Sequence, residues 1–244
     1  MKISFVIPAY NEEKYIGKCL DSILREVRSS KIDAEVIAVN NASTDRTREI
    51  ILAHPDVRLV DEQIKGLAQA RQSGFLASSG EIIANIDADS ILAPGWIEKA
   101  VLEFSQNKKL VALSGPYVYY DRSLWINFLV WIYYSLGYII HLFNQYILRK
   151  GAMLQGGNFV LRRNALEEIG GFDVRIGFYG EDTDIAKRIQ RVGQVKFSFF
   201  FPMHTSARRF SQEGFLLTAL RYVVNYFWVI AFQKPFSKKY KDIR

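Results

Sequence analysis

Between residues 2 and 86, short apolar runs alternate with amphipathic stretches, and no other feature constrains the fold as much. Residues 2–8 form a buried-strand run closed by Pro8. After a helix start at Asn11-Glu12-Glu13, the residues Tyr15, Ile16, Cys19, Leu20, Ile23, Leu24 and Val27 recur at the spacing of one helical face. Residues 35–39 are β-branched and apolar, and Ser43-Thr44-Asp45 caps a following helix. Residues 57–60 read as a strand, 67–77 as a helix and 82–86 as another strand. This alternation predicts a mostly parallel sheet with helices on both faces, where ligands bind beyond the carboxyl ends of the strands. Three polar motifs fall at such ends: Pro8-Ala9-Tyr10-Asn11, Asn40-Asn41-Ala42-Ser43 and Asp87-Ala88-Asp89.

Beyond Val118 the pattern changes. Residues 124–148 carry no formal charge and lie between Arg122 and Arg149-Lys150. A helix of that length reaches about 37 Å, enough for a bilayer core of about 30 Å. Its polar members Asn127, Tyr134, Tyr138, His141 and Gln145 fall on one stripe, however, and Trp125, Leu129, Ile132, Leu136, Ile140, Phe143 and Ile147 on the other face. An amphipathic helix lying on a surface is therefore expected rather than a spanning one. The second apolar run, 215–232, contains Arg221 and points the same way.

Charge adds to this picture through its placement. The net charge is +7, and residues 204–244 hold eight basic and two acidic side chains, so the tail alone carries +6. No nucleic-acid-binding motif accompanies the basic residues, which disfavours a nucleic-acid partner and leaves an anionic surface such as a membrane. Cys19, the only cysteine, cannot form an intramolecular disulfide and fits a reducing, cytoplasmic setting. The eight-residue apolar start is too short for a signal peptide.

Asp87-Ala88-Asp89 ends an apolar strand, and carboxylates two residues apart on a strand project to one side. They could hold a hard divalent cation, although a lone Asp-x-Asp is more often a solvated pair opening a turn. Lys65-Gly66 leads into a helix carrying Arg71, a side chain suited to phosphate oxygens. Gly156-Gly157-Asn158 precedes the apolar run 159–161, where paired glycines admit a ligand close to the backbone or make a bulge. Glu181, Asp182 and Asp184 open another helix; the dipole accounts for acidic residues there, but not for the glycines and aromatic residues around them.

Taken in order, residues 6–13, 41–45, 65–68, 87–89, 156–158 and 181–182 make the chain resemble family 2 glycosyltransferases from residue 3 to about 200. The resemblance implies a GT-A-type α/β fold and inverting sugar transfer from a UDP- or GDP-sugar with Mg²⁺ or Mn²⁺. It implies a nucleotide-sugar-binding half over 1–118 and an acceptor and catalytic half over 119–203, while the charge and apolar pattern of 204–244 read as a membrane-associating segment. Pro8, Ala9, Tyr10 and Glu12 match the first nucleotide-binding loop. Asn41 stands where the family often has an Asp on the base, and Arg71 where the nucleotide or diphosphate is contacted. Asp87 matches the carboxylate facing the ribose and sugar, and Asp89 the metal ligand. Asp182 matches the catalytic base, with Glu181, Gly156, Gly157 and Asn158 in the acceptor region. His204 lies where several relatives complete the metal shell. Arg208-Arg209-Phe210 replaces the Gln-x-x-Arg-Trp of processive relatives, which argues against polymer synthesis. Trp96 reads as a packing residue at a helix start.

The expected function is transfer to a hydroxyl or phosphate acceptor, lipid-linked or part of a cell-envelope glycan, by a peripheral protein of the inner membrane face. The alternative is a non-catalytic nucleotide-sugar-binding protein on the same fold. Retention of both Asp89 and Asp182 argues against it, because a binder needs no base. A nucleotidyltransferase would need a glycine-rich loop near the N-terminus, and Pro8-Ala9-Tyr10-Asn11 is not one.

Overall fold

The structure is a computed structural model that describes residues 1–143, 153–176 and 180–214, together with 218, 221, 224, 225, 228 and 236. The first half runs β1 (Ile3–Ala9), α1 (Ile16–Ser30), β2 (Ala34–Asn41), α2 (Thr47–Leu52), β3 (Val57–Glu62), α3 (Leu67–Ala77) and β4 (Ile82–Ile86). It continues through β5 (Ser90–Ile91), α4 (Trp96–Gln106), β6 (Leu110–Ser114) and β7 (Tyr117–Tyr119). Then follow α5 (Leu124–Phe143), β8 (Asn158–Arg162), α6 (Arg163–Glu168), α7 (Glu181–Ile189), β9 (Gln194–Phe197), β10 (Met203–Thr205) and α8 (Arg208–Glu213).

Seven strands form one sheet in the order β3-β2-β1-β4-β8-β6-β9. All neighbouring pairs are parallel except those made by β8, which enters antiparallel between β4 and β6. The two halves of the chain therefore share a single sheet. Every residue of β1 is buried, as expected of a parallel strand covered on both faces. Ile3, Phe5 and Ile7 face a core built with Leu20, Ile23, Trp96 and Phe104 from α1 and α4. Val6 faces the opposite core, with Phe75 of α3 and Ile185 and Ile189 of α7. A second sheet, β5-β10-β7, sits beyond the end of β4.

Helix α1 begins at Ile16 rather than at Asn11, and Asn11 has φ of 52°. The cause is a bridge between loops. The Glu12 N–H donates to Thr47 Oγ1 at 2.7 Å, and the Thr44 N–H donates to Asn11 Oδ1 at 2.8 Å. These bonds draw residues 11–14 toward the loop after β2 instead of into a helix. Asp45 accepts the Thr47 N–H at 2.9 Å, close to the expected cap of α2.

Helix α5 presents its faces in the reverse of the usual order. Its polar stripe faces the protein: Asn127 bonds both ways with the Tyr119 backbone, the Tyr134 hydroxyl donates to Gln155 Oε1 at 2.6 Å, and Tyr138 packs on Phe197 and Phe199. Trp125, Phe128, Trp131, Leu136 and Ile139 are exposed. The expected extension over 144–148, including Gln145 and Ile147, lies outside the described residues, as do the side chains of Ile140, His141 and Phe143. No helix among the described residues is long and apolar enough to cross a membrane.

Candidate active site

The carboxyl ends of β1, β2 and β4 converge on one rim. Pro8 and Ala9 are buried at the end of β1, while Tyr10 turns outward beneath Lys65, whose Nζ lies 3.7 Å from the ring centroid. The loops after β1 and α3's leading turn thus meet over a ring that could pair with a planar base. Asn41, expected at that base, is buried and bonded inward. Its amide donates to Ile64 O at 2.7 Å and accepts the Gly66 N–H at 2.8 Å, so it shapes the 62–66 loop rather than facing a ligand.

Asp87 and Asp89 lie on the turn between β4 and β5, not on a strand, and they go to different partners. Asp87 Oδ1 accepts from Arg71 Nη2 at 3.1 Å and Oδ2 from the Tyr117 hydroxyl at 3.1 Å, leaving its side chain 36% exposed. Asp89 is paired with Arg208 Nε at 2.9 Å and accepts from Thr205 Oγ1 at 3.3 Å. Arg208 also bridges to the buried Glu12, so Glu12, expected on the nucleotide, is held by α8. Burial pushes the Asp89 carboxyl up to about 7, with Glu12 and Asp87 adding to the rise against the pull of Arg208.

Crowded oxygen donors of this type fit a hard divalent cation, which commonly uses one or two carboxylates and completes its shell with substrate phosphates. Asp89 is the donor best placed for that role. His204 is not. It lies on β10 between Met203 and Thr205, and the alternation that turns Thr205 to Asp89 turns His204 the other way. Among the described residues, no group of three or more His, Cys, Asp or Glu side chains is gathered as a metal site.

The second half brings its own carboxylates to the rim. Gly180, with φ of 85°, opens α7, and Glu181 and Asp182 occupy its first turn. Glu181, expected to shape the acceptor site, is buried against Arg71 Nη1. Asp182 Oδ1 accepts the Thr183 N–H at 2.7 Å, and its Oδ2 would lie 3.5 Å from a Cβ at Gly156. Burial raises both carboxyls, that of Glu181 to about 8, where the Asp182 and Asp87 charges add to the rise against the pull of Arg71.

Three expectations change in this region. Arg71, expected on the nucleotide or diphosphate, is fully buried and donates to Glu181, Asp87 and the Gly156 carbonyl. Gly157 makes room for protein atoms, since a Cβ there would stand 2.2 Å from the Asp87 carboxyl and 2.3 Å from the Tyr117 hydroxyl. Asn158, opposite Ile86 at the end of β4, is buried, donating to Gly115 O and Phe201 O and accepting from Trp96 Nε1. Trp96 itself is packed at the start of α4, as expected. Sequence reasoning missed Tyr117 and Thr205, which hold Asp87 and Asp89; nothing in their neighbouring residues marks them.

An open, mostly parallel sheet with an Asp-x-Asp turn at its rim, completed by an antiparallel strand and a later acidic helix, is the GT-A glycosyltransferase architecture. The chain belongs to glycosyl transferase family 2, whose profile matches residues 4–170. It is 31% identical over 167 residues to a chondroitin synthase of Pasteurella multocida, covering 64% of this chain and 17% of that protein. Among solved structures it is similar to the mannosyltransferase PcManGT from Pyrobaculum calidifontis, in complex with GDP-Man and Mn²⁺, with TM-score 0.62 and 24% identity over 84% of this chain and 56% of that one. It is also similar to S. aureus TarS 1-349 in complex with UDP-GlcNAc, with TM-score 0.64 and 17% identity over 84% of this chain and 58% of that one.

Proposed function

We propose that this chain transfers a sugar, with inversion, from a UDP- or GDP-sugar to a hydroxyl or phosphate acceptor carried by a membrane lipid. The observation that carries the reading is the joining of Asp87, from one half, to the Glu181-Asp182 turn of α7, from the other, through Arg71. In this mechanism the Asp182 carboxylate accepts the acceptor's proton while the acceptor oxygen bonds to the anomeric carbon and the bond to the diphosphate oxygen breaks. A carboxyl raised by burial is a better proton acceptor than an ordinary solvated aspartate. Asp89 is the residue that would hold Mg²⁺ or Mn²⁺, whose charge would neutralise the departing nucleoside diphosphate. Tyr10 and Lys65 are suited to receive the base, and Asp87 the ribose or sugar.

The apolar ridge of α5 supports a bilayer surface as the acceptor's source. Tyr133 lies on this helix, and burial together with the Asp182 charge raises its phenol. The +6 tail would meet anionic headgroups on the inner face of the membrane. Arg221 contributes less than its sequence position suggested, because it pairs with Glu213 Oε2 at 2.7 Å. Phe215, Leu216, Tyr222 and Tyr226, expected to enter the acyl boundary with Trp228, lie outside the described residues.

The test is a screen of UDP- and GDP-sugars with Mn²⁺ for nucleoside diphosphate release, with and without lipid-phosphate acceptors. Release that rises with the acceptor supports the reading. Tight UDP or GDP binding with no release under any condition leaves the non-catalytic binder instead.

A further inference from the structure

Arg71 is the largest of the fully buried side chains, and one guanidinium joins three segments distant in sequence. It donates to Glu181 at the start of α7, to Asp87 on the turn after β4, and to the Gly156 carbonyl before β8. Its charge also lies 4.9 Å from the centre of the Phe159 ring. The opposite oxygen of Asp87 is fixed by Tyr117, and Gly157 leaves the space that this arrangement needs. The cluster therefore has defined geometry on every side.

It is a poor device for stability. Arg71 Nε, Glu181 Oε2 and both amide atoms of Asn85 are buried without a hydrogen-bond partner. Asn85, on β4, pairs in register with Phe159, over whose ring the Arg71 guanidinium stands. A buried ion pair with unsatisfied atoms is commonly no more stable than apolar side chains of the same volume.

We propose that Arg71 is a positioning residue that sets where Asp182 stands relative to the donor. By holding Glu181 and Asp87 on one rigid, planar fork, it ties the first turn of α7 to the Asp-x-Asp turn. Asp182 follows Glu181 directly and moves with it. A lysine offers a point charge on a flexible stem and cannot hold two carboxylates and a carbonyl in one plane. This inference rests on Asp182 acting as the base.

The test compares Arg71→Lys, Arg71→Met and Glu181→Met with the unaltered chain. Turnover is read as nucleoside diphosphate release, donor-site integrity as calorimetric binding of UDP and GDP with Mn²⁺, and the clamp as hydrogen exchange at amides 181–186. Expected are a fall in kcat of tenfold or more and at least tenfold faster exchange in α7 with α3 unchanged in all three variants, and, in Glu181→Met, whose Arg71–Asp87 contact is kept, nucleotide affinity and donor KM within about twofold. Arg71→Lys should fail to rescue. Full turnover in Arg71→Lys overturns the proposal. So does a tenfold loss of nucleotide affinity with α7 exchange unchanged, which would put Arg71 on the diphosphate. If the Arg71 variants do not fold, Glu181→Met decides, since it leaves the Asp87 and Gly156 bonds in place. If the unaltered chain releases no nucleoside diphosphate, the transferase reading fails, and α7 exchange still shows whether the clamp exists.

Discussion

Helices α1 and α5 are both amphipathic, and the protein orients them oppositely. α1 buries Ile16, Cys19, Leu20, Ile23 and Leu24 against the sheet and leaves Lys18, Asp21, Arg25 and Arg28 outside, while Glu26 is buried and accepts the Gly95 N–H. α5 turns its polar stripe inward, where Asn127 and Tyr134 bond to backbone and Gln155, and leaves Trp125, Trp131 and Leu136 outside. The contrast extends to the halves they belong to. The first half is a closed platform whose loops are bonded to one another before any ligand arrives. The second supplies the carboxylate proposed as the base and, on α5, exposed apolar side chains. Helical periodicity alone cannot tell these roles apart, because the polar groups that accept α5 come from β7 and from the segment before β8.

The largest expected effects separate the halves by what they do. Asp89→Ala should abolish the Mn²⁺ dependence of UDP or GDP binding, since the remaining Asp87 carboxylate, held by Arg71 and Tyr117, cannot anchor the cation alone; affinity that a chelator still lowers equally in this variant would move the cation elsewhere. Asp182→Asn should leave nucleotide affinity within about twofold and lower turnover by about 10²–10⁴-fold, because an amide cannot accept the proton. A loss of less than about tenfold removes Asp182 from the role of base.

Stability should follow the same division. Ile23→Ala removes a fully buried side chain from the α1 face and should cost about 2–5 kcal/mol by denaturant unfolding. Leu136→Ala, on the exposed ridge of α5, should stay within about 0.5 kcal/mol. Equal losses would mean that something covers α5.

A smaller effect concerns pH. Burial raises Glu181 from about 4.5 to about 8 in the folded protein, so the native state holds its proton to higher pH than the unfolded chain. The stability associated with that proton is fully present below about 4.5 and is lost as pH rises toward 8. Glu181→Gln cannot ionise and should flatten the decline in Tm between pH 5 and pH 8, by on the order of 5 °C. An unchanged slope would show that Arg71 keeps Glu181 ionised across that range.

The fold was legible where one kind of residue settles an element. The runs at β1 and β4, and α3 between its glycine and serine boundaries, fall within a residue or two of expectation because buried parallel strands need no outside partner to be recognised. The site was legible only as positions. Asp87 and Glu181 are joined through Arg71 while Asp89 goes to Arg208, and these partners were not readable, because each comes from far along the chain. Arg71 and Glu181 are 110 residues apart, and Arg208 and Glu12 are 196 apart. Asn41 misled for a related reason: an amide that can both donate and accept serves a backbone loop as readily as a base. His204 failed on a three-residue strand, where a shift of one position reverses the side a residue faces.

The smallest expected effect tests the contrast between the helices most directly. If α5 lies on a bilayer, its exposed tryptophan and leucine should bind lipid without contributing to the fold. Trp131→Ser and Leu136→Ser should then lower co-sedimentation with anionic phosphatidylglycerol vesicles severalfold while Tm stays within about a degree. Replacing Lys238, Lys239 and Lys241 with glutamine should weaken the same binding, by roughly 1 kcal/mol for each charge near the surface, and added salt should reproduce that loss. Neutral phosphatidylcholine vesicles should retain only the apolar part. Exposed apolar residues at the N-terminal end of α5, such as Trp125, give a second check, since they lie on the same ridge one to two turns away. Equal recovery in the supernatant with anionic and neutral vesicles would overturn the membrane reading and leave a protein partner as the cover for this face. Concentration-dependent sedimentation of the chain alone would identify that partner as a second copy. The comparison then survives in altered form: α1 would be closed by its own sheet and α5 by a neighbour, with the same outward apolar ridge serving a different contact.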